Sequence, residues 1–404
     1  MKQIKVLMIG QGFMGGIAHP RGILEANQQL RPKGLEFVLD CVAVTPPGSK
    51  DDEKARKEKA DRLAETQLKY NYARTSTNWE KEIGKADLVV VTSPNKAHLP
   101  MAIAALKAGK AVVCEKPLAT NLEEAQEMAA AAKQAGTPTM VTFCYQGAPG
   151  ALEARRLVQS NAILGKSGYF EGTSEFLQDW GRGGRTNFRF AAEQGLGGVI
   201  EDLGAHQVDL VQFVLGKKIT QVSAQTRIYE GDGEDLRMVR GSDANAKGMA
   251  VDAFEAIAYF DNNCTVTFRS NRTSTGHKAF FETALHGNRG GAIWELEDQG
   301  YLKFYSHTRT DGAKVASRER GWTHIHLSDP GGDGHYNTDT VPGLINGYLQ
   351  YFRWQYVHFG LQLLGKPDKA YTPPTFADAC QVQAVCDAIY RSGTKDGELT
   401  KVKA

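Results

Sequence analysis

Two short stretches hold side chains suited to proton handling on a small substrate. In Ala111-Val-Val-Cys-Glu115-Lys116-Pro117, four small or β-branched residues read as a buried parallel strand, and Glu-Lys-Pro stands where that strand ends. Proline disfavours helical geometry at the residue before it, so Lys116 is expected to stay out of any following helix. An ammonium fixed there can hydrogen-bond a substrate oxygen or share in proton transfer, although a Lys-Pro taken alone is more often a surface turn. The second stretch is Gly195-Leu-Gly-Gly-Val-Ile-Glu-Asp202-Leu-Gly-Ala-His206. Asp202 and His206 are four apart and would share one face of a helix, with Leu203, Val208, Val211 and Val214 turned to the core. A carboxylate near an imidazole raises its pKa and orients it, which suits a general base. A helix-start aspartate beside a satisfied, partly buried histidine fits the same residues equally well.

The elements that would position these groups begin at the N-terminus. Ile4–Ile9 reads as a strand and Phe13 to about Leu30 as a helix, with Gly10-Gln-Gly12-Phe13-Met14-Gly15 between them. In that position G-x-G-x-x-G predicts a dinucleotide site. The first glycine serves the tight turn, the second the approach of a pyrophosphate, and the third close helix–strand packing. Strands are expected over Phe37–Val44, Asp87–Thr92, Ala111–Cys114 and Thr139–Tyr145. Helices are expected from about Lys96 to Lys107 and from the Thr120-Asn-Leu-Glu123 capping box to Gly136. This alternation means a doubly wound parallel sheet, with Ser93-Pro94-Asn95 and Glu115–Pro117 at strand ends beside the cofactor. The second strand ends at Thr45-Pro46-Pro47 with no acidic residue at its tip, and Asp40 lies inside the run. Ser49, Lys50 or Arg56 could accept a 2′-phosphate, so NAD or NADP both remain open, with a lean towards NAD.

After about Gly150 strand-like runs dominate, at Gly168–Leu177, Ile219–Ile228, Phe254–Phe260, Thr265–Asn271, Phe280–His286 and Ala292–Glu297. They predict an α+β domain with an open, mostly antiparallel sheet. Helices return at Asn346–Leu364 and Phe376–Tyr390. The expected division is 1–147 and 148–404, with the C-terminal helix able to pack back on the first domain. His324 and His326 read as strand histidines, and no metal is expected. The charge of +2, from 48 basic and 46 acidic residues, provides no field for nucleic acid or a membrane surface. Composition is that of an ordinary soluble protein, 41% hydrophobic and 23% charged. The six scattered cysteines, without a C-x-x-C pair, suggest buried thiols in a reducing compartment. No apolar run approaches a membrane span or a signal peptide. A cytoplasmic enzyme is the expectation.

Gly10-x-Gly12-x-x-Gly15, Ser93-Pro94-Asn95 with His98, Glu115-Lys116-Pro117 and Asp202-x-x-x-His206 occur in that order. Together they resemble the glucose–fructose oxidoreductase/inositol dehydrogenase (Gfo/Idh/MocA) family over nearly the whole chain. The resemblance implies a Rossmann domain and an open-faced sheet domain with the active site between them, and a homodimer or homotetramer. It implies a catalytic group of Lys116, Asp202 and His206. His206 would take a hydroxyl proton as hydride passes to nicotinamide, Lys116 would hold the oxygen, and Asp202 would orient its neighbours. Gly10, Gly12, Phe13, Met14, Gly15, Thr45, Ser93, Pro94, Asn95, His98, Glu115 and Lys116 would contact the cofactor. Phe188-Arg189-Phe190 resembles the Trp-Arg-Phe stretch of sugar-oxidising members. It suggests Arg189, with Trp180, Tyr145 and Arg182 or Arg185, for a carbohydrate or glycoside substrate. Gln146 and Cys144 stand where many members carry Arg and Asn, so inositol or glucose specificity is not carried over. The implied activity is oxidation of a secondary hydroxyl, with oxidation at C3 of a glycoside as one variant. An NAD-recycling glycosidase and a non-catalytic nucleotide sensor are the alternatives.

Overall fold

The computed structural model describes residues 1–45, 53–179, 195, 197–230, 237–240, 250–262, 264–308, 314, 316, 320–328, 343–345, 347–368 and 371–403. They divide into two compact units, Met1–Gly147 with Tyr348–Cys380, and Ala148–Gly347 with Gln381–Ala404. Tyr348–Cys380 thus joins the first unit, whereas the expected boundary placed it in 148–404.

The first unit holds a six-stranded sheet in the order β3-β2-β1-β4-β5-β6. Its strands are β1 (Lys2–Ile9), β2 (Leu35–Ala43), β3 (Arg74–Ser76), β4 (Leu88–Val91), β5 (Ala111–Cys114) and β6 (Thr139–Val141). All neighbours pair in parallel. Every residue of β4 and β5 is buried, as expected of central strands covered on both faces. The helices are α1 (His19–Leu30), α2 (Glu53–Tyr70), α3 (Glu80–Ile83), α4 (His98–Lys107) and α5 (Leu122–Ala135). A π-helical turn over Met14–Ala18 precedes α1, where one continuous α-helix was expected. The cap of α5 lies one residue later than expected. Asn121 accepts the Glu124 N–H at 2.9 Å, and the Glu124 carboxylate returns to the Thr120 N–H and hydroxyl.

The second unit begins with α6 (Pro149–Gln159) and β7 (Phe170–Leu177), followed by α7 (Ala205–Leu215). Then come β8 (Ile219–Glu230), β9 (Arg237–Arg240), β10 (Ala253–Phe260), β11 (Thr265–Asn271), β12 (Phe280–Gly287), β13 (Gly290–Glu295), β14 (Tyr301–Ser306) and β15 (Thr323–His326). The chain continues through α8 (Tyr348–Leu363, in the first unit) and α9 (Phe376–Gly393) to β16 (Thr400–Lys401). The sheet runs β15-β14-β13-β12-β7-β11-β10-β8-β16, with β9 on β8. Among these pairs β7–β11 is parallel and the others are antiparallel. Phe176 and Phe281 stack across β7 and β12 with centroids 4.6 Å apart, and Trp294 meets Phe281 edge-on. Gln207 anchors α7 to the sheet by donating to the Ser174 and Arg269 carbonyls and accepting from Ser270.

Candidate active site

The glycine turn leaves the carboxyl end of β1 in a form that side chains would block. Gly10 has φ +114°, and a Cβ there would stand 2.7 Å from the Thr92 carbonyl oxygen. At Gly15 a Cβ would stand 2.3 Å from the Gly10 carbonyl oxygen. Gly12 differs: its added Cβ would meet nothing within 4 Å. Two glycines are therefore needed to close the turn, and the third has an open flank. That is the arrangement a pyrophosphate requires, so the residues present fit a dinucleotide. Phe13 is exposed and Met14 half-buried beside them. Thr45 is exposed just beyond β2. Asp40 is engaged elsewhere, since its carboxylate accepts from Arg74 at 2.6 Å while Arg74 also pairs with Glu82. Arg56 is exposed on α2, and Ser49 and Lys50 lie outside the described residues.

The ends of β4 and β5 carry the next group on the same edge of the sheet. Ser93 and Asn95 are half-buried, with exposed Pro94 between them. His98, expected at the cofactor, is fully buried, and its ring nitrogens approach the Ser93 and Pro117 carbonyl oxygens, each at 2.9 Å. It ties the Ser93–Asn95 turn to the Lys116 turn. Burial lowers its pKa, against the opposing effect of those hydrogen bonds.

Lys116 is half-buried and its peptide bond to Pro117 is cis. The Glu115 carboxylate beside it is turned inward. One oxygen accepts from His19 Nε2 at 2.7 Å and Thr142 Oγ1 at 2.6 Å, the other from the Lys116 N–H at 3.2 Å. Burial alone would push the Glu115 pKa up, but the bonds from His19 and Thr142 and the Lys116 charge hold it below the ordinary carboxylate value. Glu115 is thus a buried anchor of the turn that carries Lys116. His19 Nδ1 is 2.6 Å from the Tyr356 hydroxyl. Tyr145 is buried, its ring 5.8 Å from that of Tyr348 and 6.3 Å from that of Tyr351. Gln146 accepts from the Tyr371 hydroxyl at 3.2 Å.

In the second unit Asp202 lies in a π-helical turn, Ile200–Gly204, and α7 starts only at Ala205. Asp202 thus stands in the π turn and His206 in the α-helix that follows it, where a single α-helical run over both was expected. The Asp202 carboxylate accepts from Arg272 Nη2 at 3.1 Å, and that guanidinium is 4% exposed. His206 is buried, with its ring 6.2 Å from that of Phe176. Leu203, Val208, Val211 and Val214 are buried as expected. Glu201 is a second buried carboxyl. Burial raises its pKa from 4.5 to about 8, with the Gln383 hydrogen bond and Arg272 opposing and Asp387 and Asp202 adding to the rise. Trp180, Arg182, Arg185 and Arg189 lie outside the described residues.

Four residues with evident roles here escaped the sequence reading: His19, Tyr356, Arg272 and Glu201. No local spacing links residue 19 to 115 or 356, and Arg272 stands one residue beyond the expected strand Thr265–Asn271 with nothing beside it to mark it. Glu201 left one usable signal, an acidic residue within an otherwise apolar Val-Ile-Glu-Asp-Leu run.

Comparison with known proteins sets these features in a family. The model described as an oxidoreductase family with an NAD-binding Rossmann fold matches residues 4–143. The model of the GFO/IDH/MocA C-terminal domain matches residues 151–293. Levoglucosan dehydrogenase of Pseudarthrobacter phenanthrenivorans is 26% identical over 411 residues, covering 98% of this chain and 97% of that protein. The crystal structure of an oxidoreductase domain protein from Kribbella flavida superposes with a TM-score of 0.81 at 28% identity, covering 100% of both chains. A levoglucosan dehydrogenase complex with NADH and levoglucosan gives 0.83 at 22% identity, again over 100% of both chains, a likeness of fold. With both domain models matched in order and the glycine turn shaped for a dinucleotide, the chain belongs to the Gfo/Idh/MocA family of NAD(P)-dependent oxidoreductases.

Proposed function

We propose that the protein oxidises a secondary hydroxyl of a sugar, polyol or glycoside, giving a 3-keto sugar where that hydroxyl is at C3, and uses NAD in preference to NADP. The observation that carries this reading is Lys116 at the carboxyl end of β5, on the sheet edge that also bears the open flank of Gly12. Ligands of open α/β sheets bind at that edge. The cofactor, when bound, accepts the hydride. Gly10, Gly12 and Gly15 shape its seat, with Phe13, Met14, Thr45, Ser93, Pro94 and Asn95 around it. Lys116 holds the substrate oxygen through its ammonium and His206 takes the hydroxyl proton, while Asp202, kept in place by Arg272, orients the neighbouring groups. Tyr145, Trp180 and Arg189 are the proposed substrate contacts. The carbohydrate class is supported by the name of the relative aligned over nearly its full length.

The test is the near-ultraviolet absorbance of reduced nicotinamide, followed with purified protein, NAD or NADP, and a panel of levoglucosan, free sugars, inositols and glycosides. A rise with one class is expected. No rise with any member, despite tight NAD binding, would overturn the reading in favour of an NAD-recycling glycosidase or a sensor.

A further inference from the structure

We propose that Tyr356, His19 and Glu115 form a buried positioning relay that fixes Lys116, making Glu115 a positioning residue and α8 part of the catalytic apparatus. The inference rests on the reading of Lys116 as the group that holds the substrate oxygen.

The three side chains are inaccessible, at 0% exposure for His19 and Tyr356 and 5% for Glu115. Their contacts are 2.6 Å from Tyr356 to His19 and 2.7 Å from His19 to Glu115. Nε2–H donates to the carboxylate, and the phenol oxygen bonds Nδ1 as donor or acceptor according to the protonation of the ring, so each rotamer is set by the next. The carboxylate also receives the Thr142 hydroxyl and the Lys116 N–H. Donors from α1, from the end of β6 and from the Lys116 backbone therefore converge on the Glu115 carboxylate, and α8 reaches it through His19. On its other side, His98 holds the Pro117 carbonyl. Lys116 is bracketed by two anchored neighbours, which restricts where its own side chain can start.

Stability alone does not account for this arrangement. A buried charged or polar trio replaced by apolar groups of similar volume is often neutral or more stable. What the polar chain adds is direction at the residue next to Lys116. It also joins the start of α1, just after the glycine turn, to the Lys116 turn, so the two halves of the expected cofactor and substrate edge share a strut.

The experiment compares wild type with Glu115→Gln, Tyr356→Phe, the double variant and Lys116→Ala. The readouts are kcat and KM with the panel compound that wild type turns over fastest, NADH affinity by fluorescence titration, and the labelling rate of Lys116 by trinitrobenzenesulfonate, read by peptide mass spectrometry. Glu115→Gln is expected to lower kcat by between about ten- and a hundredfold, as misplacement of a reacting group does, with NADH affinity nearly unchanged. Tyr356→Phe, which keeps the ring and removes one oxygen, should show a smaller loss that disappears in the double variant, because both act through one chain. Lys116 labelling should change in both single variants. Unchanged kcat and labelling in Glu115→Gln and Tyr356→Phe would overturn the relay, as would losses of kcat and NADH affinity in equal measure. If Lys116→Ala keeps full turnover, the reading of Lys116 itself fails, and the labelling rates still decide whether Glu115 positions it.

Discussion

Lys116 and Glu201 make opposite demands on their surroundings. Lys116 is half-buried at a strand end, where its ammonium can be both solvated and aimed. Lys116→Ala should abolish turnover while leaving NADH affinity nearly intact, checked by steady-state rates beside fluorescence titration. Retained activity would refute its role. Glu201 is closed off, and its folded-state pKa is raised from 4.5 to about 8. A carboxyl raised in this way favours the folded state fully below its unfolded pKa, and that contribution is lost as pH rises to the folded value. Between these limits the unfolded chain has released a proton that the folded protein retains. Glu201→Gln should therefore match wild type in stability near pH 5 and exceed it increasingly towards pH 8, by an amount on the order of a few kcal/mol. Parallel melting-temperature curves for the two proteins over that range would contradict the assignment. Lys116 and Asp202 can be singled out as candidates in the sequence because strand, proline and spacing mark them locally. Arg272, His19 and Tyr356 cannot, since their partners are defined by folding rather than by neighbours in sequence.

Elements differ in how much of their sequence serves folding and how much serves a ligand, and the glycine turn separates the two. A methyl group at Gly15 would lie 2.3 Å from the Gly10 carbonyl oxygen, inside hard contact, whereas at Gly12 it meets open space. Gly15→Ala is expected to destabilise the fold by about 1–3 kcal/mol or more, because the methyl group clashes with the Gly10 carbonyl. Gly12→Ala should melt like wild type yet bind NADH at least about tenfold more weakly, about 1.4 kcal/mol, because the methyl group stands where the pyrophosphate approaches. Calorimetry of both variants with an NADH titration checks the pair. Equal NADH affinity for Gly12→Ala and wild type would remove the glycine turn from the binding site. The parallel strands were readable as elements because continuous apolar runs such as Leu88–Val91 and Ala111–Cys114 admit little else. The π turns at Met14–Ala18 and Ile200–Gly204 were not, since one extra residue per turn leaves no clear mark in an apolar pattern.

For the whole molecule, hydrophobic periodicity gave two domains and their classes, but not where α8 belongs. An apolar helix late in the chain is compatible with either core, and only its contacts decide. Tyr351, Phe352, Tyr356 and Phe359 of α8 are buried within the first unit, each aromatic contributing about 1.5–3 kcal/mol by burial. A fragment of residues 1–147 should accordingly fail to give a cooperative thermal transition by circular dichroism, and adding a separate peptide of 348–380 should restore part of it. A cooperative melt from the fragment alone would show that α8 is dispensable for the Rossmann core.

The bond between His19 and Tyr356 joins residues 337 apart in sequence. A chain emerging from the ribosome presents α1 long before its partner helix exists, and domains made early in synthesis generally fold as units while the rest is still being made. Here the nucleotide-binding half must wait. Its apolar flank stays uncovered until the second sheet has been synthesised. Loop-closure entropy on that scale slows the final docking, and the exposed interval is when the nascent protein is most open to aggregation and to chaperones.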